Sequence, residues 1–402
     1  MKRIYFDHNA TTPVAPEVLA AMLPYFCENY GNASSIHAFG QAARGAVERA
    51  RWSVAGLVGA QPGEIMFTSG GTESNNQAIF GVLGTAASAG KHLITTAIEH
   101  DAVLDPCKEL EKRGVAVTFL PVDRGGLVDP EAVRRAIRPE TALISVMLAN
   151  NELGTIEPVE EIGEIAAEQG IVFHTDAVQA AGKIPIDVNR LGIHLLSIAA
   201  HKFYGPKGVG ALYVRKGTPL KPLLYGGHSE RDRRPGTEDV TAIAGMGKAA
   251  ELAAENIEQD AGRISTLRDR LEKGLLERVP QSWVNGARAG GNIGAGAGTR
   301  VLRTPNTTNM TFPFVEGEAM VIALDLKGIA CSTGAACSSG AVEPSHVLTA
   351  IGLPPEDARA TLRLSLGHRT SDDEIDFALE TIPPVIERLR RLSPTYKKPA
   401  TV

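Results

Sequence analysis

Short apolar runs rich in β-branched residues recur through the first two thirds of the chain, at 65–68, 92–97, 115–120, 142–148, 171–174, 194–200 and 209–214. They read as strands. Between several of them the apolar positions fall at helical spacing, at 39–58, 101–113 and 159–169. Strands alternating with helices predict an α/β architecture built on a large, mostly parallel seven-stranded sheet covered on both faces. In such sheets ligands bind beyond the carboxyl ends of the strands.

A long helical pattern at 240–279 ends this rhythm. The segment 283–303 then includes GARAGGNIGAGAGT, which is too poor in side chains to build core and is expected to form a flexible surface loop. Its GxG pattern is not read as a dinucleotide fingerprint, because no strand is expected before it and no amphipathic helix directly after it. Next come an expected strand at 309–312, a helix at 317–326, strands near Cys331 and at 362–366, and a closing helix at 372–392. These make a smaller α+β unit. The expected division is a large cofactor-binding domain at 15–262 and a small domain from 1–14 plus 263–402.

At 402 residues, with 43% hydrophobic and 22% charged positions, the chain can bury a large core. A formal net charge of -5 gives no electrostatic ground for nucleic acid or membrane partners. No run approaches the roughly 18 apolar residues of a membrane span, and MKRIYFDHNATTP lacks the apolar core of a secretory signal. A soluble, cytoplasmic protein is expected. The four cysteines, Cys27, Cys107, Cys331 and Cys337, form no C-x-x-C pair, which argues against a disulfide framework or a metal site.

The expected strand ends carry the chemistry. MFTSGGTESNN runs strand, turn, helix, so Gly71 and Thr72 lie where unpaired N–H groups and the helix dipole favour a phosphate. Plain N-capping by Ser69 or Thr72 is the alternative. AIEH puts His100 at the rim, and ISVMLANNELG ends in Asn150 and Asn151. IVFHTDAVQ delivers Asp176, with Gln179 three residues on; the aspartate either caps a helix or holds a protonated ring nitrogen. AAHKFYGPKG ends a strand in His201 and Lys202, and a lysine there either snorkels to water or has chemistry to do. Anion site, stackable imidazole, side-chain amide, carboxylate and amine are together what pyridoxal phosphate requires. Partial burial would lower the lysine pKa in the direction a nucleophilic amine needs. The GPKG turn lacks the spacing of a phosphate loop, which sets a nucleotide triphosphatase aside.

In CSTGAACSSGAVEPSHVL, Cys331 falls in the apolar run GIAC and reads as a packed strand residue. Cys337 stands among small residues that leave a thiol free to move. It is either a small turn residue or a thiolate that attacks a substrate sulfur. Arg363, charged inside ATLRLSLG, is either an outward-facing strand residue or a bidentate clamp for an amino acid carboxylate.

Over nearly its whole length, in order, the chain carries YFDHNATTP, FTSGGTESNN, EH, NNELG, HTDAVQ, HKFYGPKGVGALYV, RRPGTE, GAACSSGAVEPSHVL and LRLSLG. It resembles the cysteine desulfurases of the NifS/IscS kind, a branch of the class V aminotransferase-like enzymes. The resemblance implies fold type I of the pyridoxal phosphate (PLP) enzymes and a homodimer with active sites at the subunit interface. It also implies conversion of L-cysteine to L-alanine, with the sulfur left as a persulfide. By the same resemblance, Lys202 forms the Schiff base with pyridoxal 5′-phosphate, Asp176 partners the pyridinium nitrogen, and Gln179 meets the phenolic oxygen. His100 stacks on the ring and assists proton transfer. Thr72 and His201 bind phosphate, with Thr237 reaching it from the other subunit; Asn151 and Arg363 hold the substrate, and Cys337 is the nucleophile. A sulfur-acceptor protein, either an iron–sulfur scaffold or a thiolation relay, is the implied partner.

The chain also departs from that pattern. Ala199 stands where the family commonly has a phosphate-binding Ser or Thr, and Ser229 and Asp239 stand where Gln and Asn are usual. The alternatives are a selenocysteine lyase, another aminotransferase of the same fold, or a sulfur carrier or scaffold that keeps the fold without catalysis.

Overall fold

The computed structural model describes residues 3–84, 91–287, 303–333 and 344–396. Strand β1 (Ile4–Tyr5) opens the chain, and β2 (Ile65–Thr68) enters the large sheet. That sheet is completed by β3 (His92–Thr96), β4 (Ala116–Leu120), β5 (Thr141–Ser145), β6 (Val172–Asp176), β7 (Leu195–Ala199) and β8 (Gly210–Val214). The order is β2-β8-β7-β6-β5-β3-β4, and only β8 runs antiparallel to its neighbours. The seven-stranded, mostly parallel sheet expected from the sequence is present.

Successive strand residues point to opposite faces, and here both faces are apolar. Phe67, Ile94, Ile144, Phe173, Leu196 and Tyr213 belong to one core, with the helices Ala38–Val58 and Val159–Gln169. Met66, Leu93, Leu143, Leu195 and Leu212 belong to another, under the helices Gly71–Leu83 and Asp101–Lys112. This two-sided burial explains why the strands read as continuous apolar runs.

The 39-residue helix Val240–Arg278 changes core along its length. Val240, Ile243 and Met246 pack against the large sheet, whereas Ile264, Leu267, Leu271 and Leu275 join the apolar cluster of the smaller unit. The division at 262/263 is proposed on that change of core. In the smaller unit, β9 (Trp283–Asn285), β10 (Thr307–Thr311) and β12 (Thr361–Ser365) form an antiparallel sheet in the order β12-β10-β9. Between them in sequence, β11 (Ile329–Ala330) pairs in parallel with β1.

Two expectations change. A strand, β9, does precede the glycine-rich segment, a three-residue edge strand too short to show a period; the next described strand after that segment is β10, so the dinucleotide motif stays excluded. The strand near Cys331 stops at Ala330. The glycine-rich residues 288–302 and the segment 334–343 with Cys337 lie outside the described residues.

Candidate active site

β7 ends at Ala199 because Ala200–Lys202 turns into a 3₁₀ segment, which carries His201 and Lys202 off the strand end. Lys202 Nζ donates to two backbone carbonyls, Asn9 O at 2.5 Å and Ala10 O at 2.8 Å. Burial and the nearby Arg363 pull its pKa down to about 8, against the opposite pull of Asp176 and Asp7. A free amine is therefore accessible near neutral pH. His201 is lowered to about 4 by burial and by Lys202, Lys207 and Lys183, so its imidazole is neutral and meets Thr11 Oγ1 at 3.1 Å.

Lys202, His100, Asn151 and Gln179 stand where two cavities meet. The inner cavity, about 210 Å³, is walled by Gly71, Thr72, Asn75, Asp176, Ala199 and His201 as well. The outer one, about 580 Å³, adds Asn9, Glu152, Cys331, Ser345, Ile322 and Arg363. Every expected cofactor residue except Thr237 is thus gathered in one place. Thr237 lines a separate cavity with Arg51 and Glu230.

The inner cavity is built for an anion at one end and a carboxylate partner at the other. Gly70 holds φ 152° and ψ -177°, a conformation essentially confined to glycine, and it aims the helix Gly71–Leu83 N-terminus at the cavity. A Cβ on Gly71 would come within 2.7 Å of Val178 Cγ2, so the wall requires glycine there. Asp176, buried at the end of β6, accepts from Asn75 Nδ2 at 2.6 Å and from Val178 N at 2.9 Å. His100 caps the helix Asp101–Lys112 through Nδ1, which accepts from Ala102 N at 3.0 Å; a neutral ring then carries its proton on Nε2.

In the outer cavity Arg363 is 7% exposed, so it is not the outward-facing strand residue of the alternative reading. Its guanidinium binds Asp7 at 2.9 Å and Asn151 O at 3.2 Å. The remaining Arg363 Nε is buried without a hydrogen-bond partner among the described residues, as is Asn75 Oδ1 in the inner wall. Cys331 is buried and its thiol is pushed up to about 12, chiefly by burial, so it packs as expected. Asn150 is structural, its side chain bridging Ile98 O and the Glu152 and Leu153 amides.

Several residues escaped the sequence reading. Asn9 joins the two units: its backbone carbonyl takes Lys202 and Gln179, and its amide nitrogen reaches Asn151 O and Thr307 Oγ1. Lys183 lies behind Gln179. Glu152, held by Ser345, is raised by burial to about 7, and fully buried Glu99 to about 8. The only sequence signal for Asn9 is its place within YFDHNATTP.

The fold and this double chamber define a class V aminotransferase, and the sequence profile of that family matches residues 4–377. A cysteine desulfurase IscS from Dictyoglomus turgidum is 50% identical, covering 99% of this chain and 98% of the relative. One from Methanosarcina thermophila is 51% identical, over 99% and 95%. A solved structure described as a NifS-like protein superposes with a TM-score of 0.87 at 37% identity, covering 96% of this chain and all of the other. Another, described as SspA in complex with cysteine, gives 0.78 at 38% identity, over 90% and 98%. The chain belongs to the cysteine desulfurase family of PLP-dependent enzymes. The glycine cradle, the buried Asp176 and the low-pKa Lys202 fit that cofactor. Among the described residues no helix is long and apolar enough to cross a membrane, and no group of three or more His, Cys, Asp or Glu side chains could hold a metal ion.

Proposed function

We propose that the chain converts L-cysteine to L-alanine at this double chamber and leaves the sulfur as a persulfide on Cys337. The observation that carries the reading is Lys202, a low-pKa amine at the junction of an anion-cradling cavity and an arginine-lined one. Gly71, Thr72 and His201 would hold the cofactor phosphate, Asp176 its ring nitrogen and Gln179 its ring oxygen. When bound, pyridoxal phosphate supplies an electron sink for the negative charge that develops at the substrate Cα.

The chain's own residues do the rest. Arg363 and Asn151 bind the substrate carboxylate, which places Cα beside Lys202 Nζ; the amine removes the Cα proton. His100, with its proton on Nε2, assists proton transfer from the ring face. The Cys337 thiolate attacks the substrate sulfur, the S–S bond forms, and the Cβ–S bond breaks with its electron pair remaining on carbon. Protonation of that carbon skeleton yields alanine. Thr333 and Ser345, the last described wall residues before and after the Cys337 segment, both line the outer cavity, which supports this assignment.

A homodimer is part of the proposal. Tyr30, Ile36, Phe39 and Tyr225 are exposed, Ile36 at 93%, and Thr237 sits apart from its own chain's cofactor cavity, as a residue serving a second subunit would. The persulfide is then passed to an acceptor protein, for iron–sulfur assembly or thiolation, in the cytoplasm. The test is borohydride reduction of the PLP-loaded protein followed by peptide mapping, with alanine and sulfide measured after L-cysteine is added. A label on a residue other than Lys202, or turnover with a keto acid but not with cysteine, overturns the reading.

A further inference from the structure

The chemistry above leaves one buried-side lysine unused. Lys183 stands four residues after Gln179, and its Nζ donates to Gln179 Oε1 at 2.6 Å and to Asn9 Oδ1 at 3.1 Å. Gln179 Nε2 donates to Asn9 O at 2.9 Å, which closes a ring of three residues. The same Asn9 carbonyl takes Lys202 Nζ. Turning the Gln179 amide over would set its N–H groups against those of Lys183 and its oxygen against the Asn9 carbonyl, losing both bonds at once. Asn9 is itself fixed by Asn151 O, Thr307 Oγ1 and Asn306 Nδ2.

We propose that Lys183 is a positioning residue, which locks the orientation of the Gln179 amide and the Asn9 carbonyl that holds Lys202. The inference rests on the PLP reading, since Gln179 is the side chain that would meet the cofactor ring oxygen. Burial, with Lys202 and Arg363 close by, holds the Lys183 pKa well below its ordinary value. Even a neutral amine has the two N–H groups that the two acceptors need. The other charged or titratable groups around this pair are His8 and His201, which Lys183 depresses, Asp176 and Asp7, which act on Lys202, and Tyr204, Asp260 and His368, which line a small cavity with both lysines.

The experiment loads wild type, Lys183→Met, Gln179→Leu and the double variant with PLP. Each visible band is titrated with pH, and kcat, KM and Tm are measured alongside. The expected result is a Lys183→Met midpoint displaced in the same direction as that of Gln179→Leu, with no further displacement in the double variant. The kcat falls about three- to tenfold, the loss of one or two hydrogen bonds, and Lys183→Arg recovers part of it. Should Lys183→Met not fold, Lys183→Gln is read in the same way. A wild-type midpoint in either single variant, additive displacements, or a lowered Tm alone overturns the proposal. A wild type that takes up no PLP overturns the cofactor reading instead.

Discussion

Replacing Ala199 by serine separates the cofactor-free protein from the loaded one. Ala199 is 1% exposed at the end of β7, and its Cβ lies 3.7 Å from where a Cβ on Gly71 would stand. It therefore lines the inner cavity beside the helix N-terminus proposed to hold phosphate. Without an anion, a serine hydroxyl in this wall faces a polar cavity of about 210 Å³, roomy enough for water to satisfy it, so it costs the cofactor-free protein little. With phosphate bound, the hydroxyl exchanges water for a hydrogen bond to a charged group. That exchange favours the loaded state, and the net gain in cofactor binding is about 1–2 kcal/mol, or roughly five- to thirtyfold in Kd. The assay titrates cofactor-free wild type and Ala199→Ser with PLP, following the visible band, and compares Tm with and without cofactor. The variant should bind more tightly and show the larger PLP-induced rise in Tm. A folded variant that binds PLP no more tightly than wild type would show that the phosphate does not lie at this wall.

Three further outcomes follow from the site. Cys337→Ser keeps the visible band of bound PLP but forms no persulfide, and alanine production with L-cysteine falls to background. Gly71→Ala drives a Cβ to 2.7 Å from Val178 Cγ2, a clash within the wall itself that costs about 1–3 kcal/mol, so the Tm of the cofactor-free protein falls and the PLP Kd rises about tenfold by equilibrium dialysis. Burial raises the Glu99 carboxyl from 4.5 to about 8. Across that window the native state keeps a proton that the unfolded chain releases, so stability falls as pH rises from 4.5 to 8. Glu99→Gln removes this slope, and its Tm against pH by calorimetry is flatter than that of wild type; parallel curves would place the proton elsewhere.

The fold was legible because its signals are local. Two-sided strands such as Leu195–Ala199 must be apolar throughout, and the helix Val159–Gln169 shows its spacing within eleven residues. The errors were equally local: Trp283–Asn285 is too short to show a period, and the strand read as 194–200 loses Ala200 to the 3₁₀ turn. Residues at strand ends were legible for the same reason, since topology alone carries Asp176, His201 and Lys202 to one rim.

What stayed hidden is the support of those residues, because it acts through the backbone and across the chain. Asn9 reaches Gln179 170 residues away, Asn306 at 297 and Ser365 at 356, and the atom that receives Lys202 is a carbonyl that every residue type possesses. No side-chain pattern can announce such a contact. The Asn9 and Ala10 carbonyls fix where the amine rests, and by accepting from it they favour its charged form, against the burial and the Arg363 charge that lower its pKa. The loop around Asn9, held by Thr307 and Ser365 within the smaller unit, is therefore where that unit touches Lys202 of the large one.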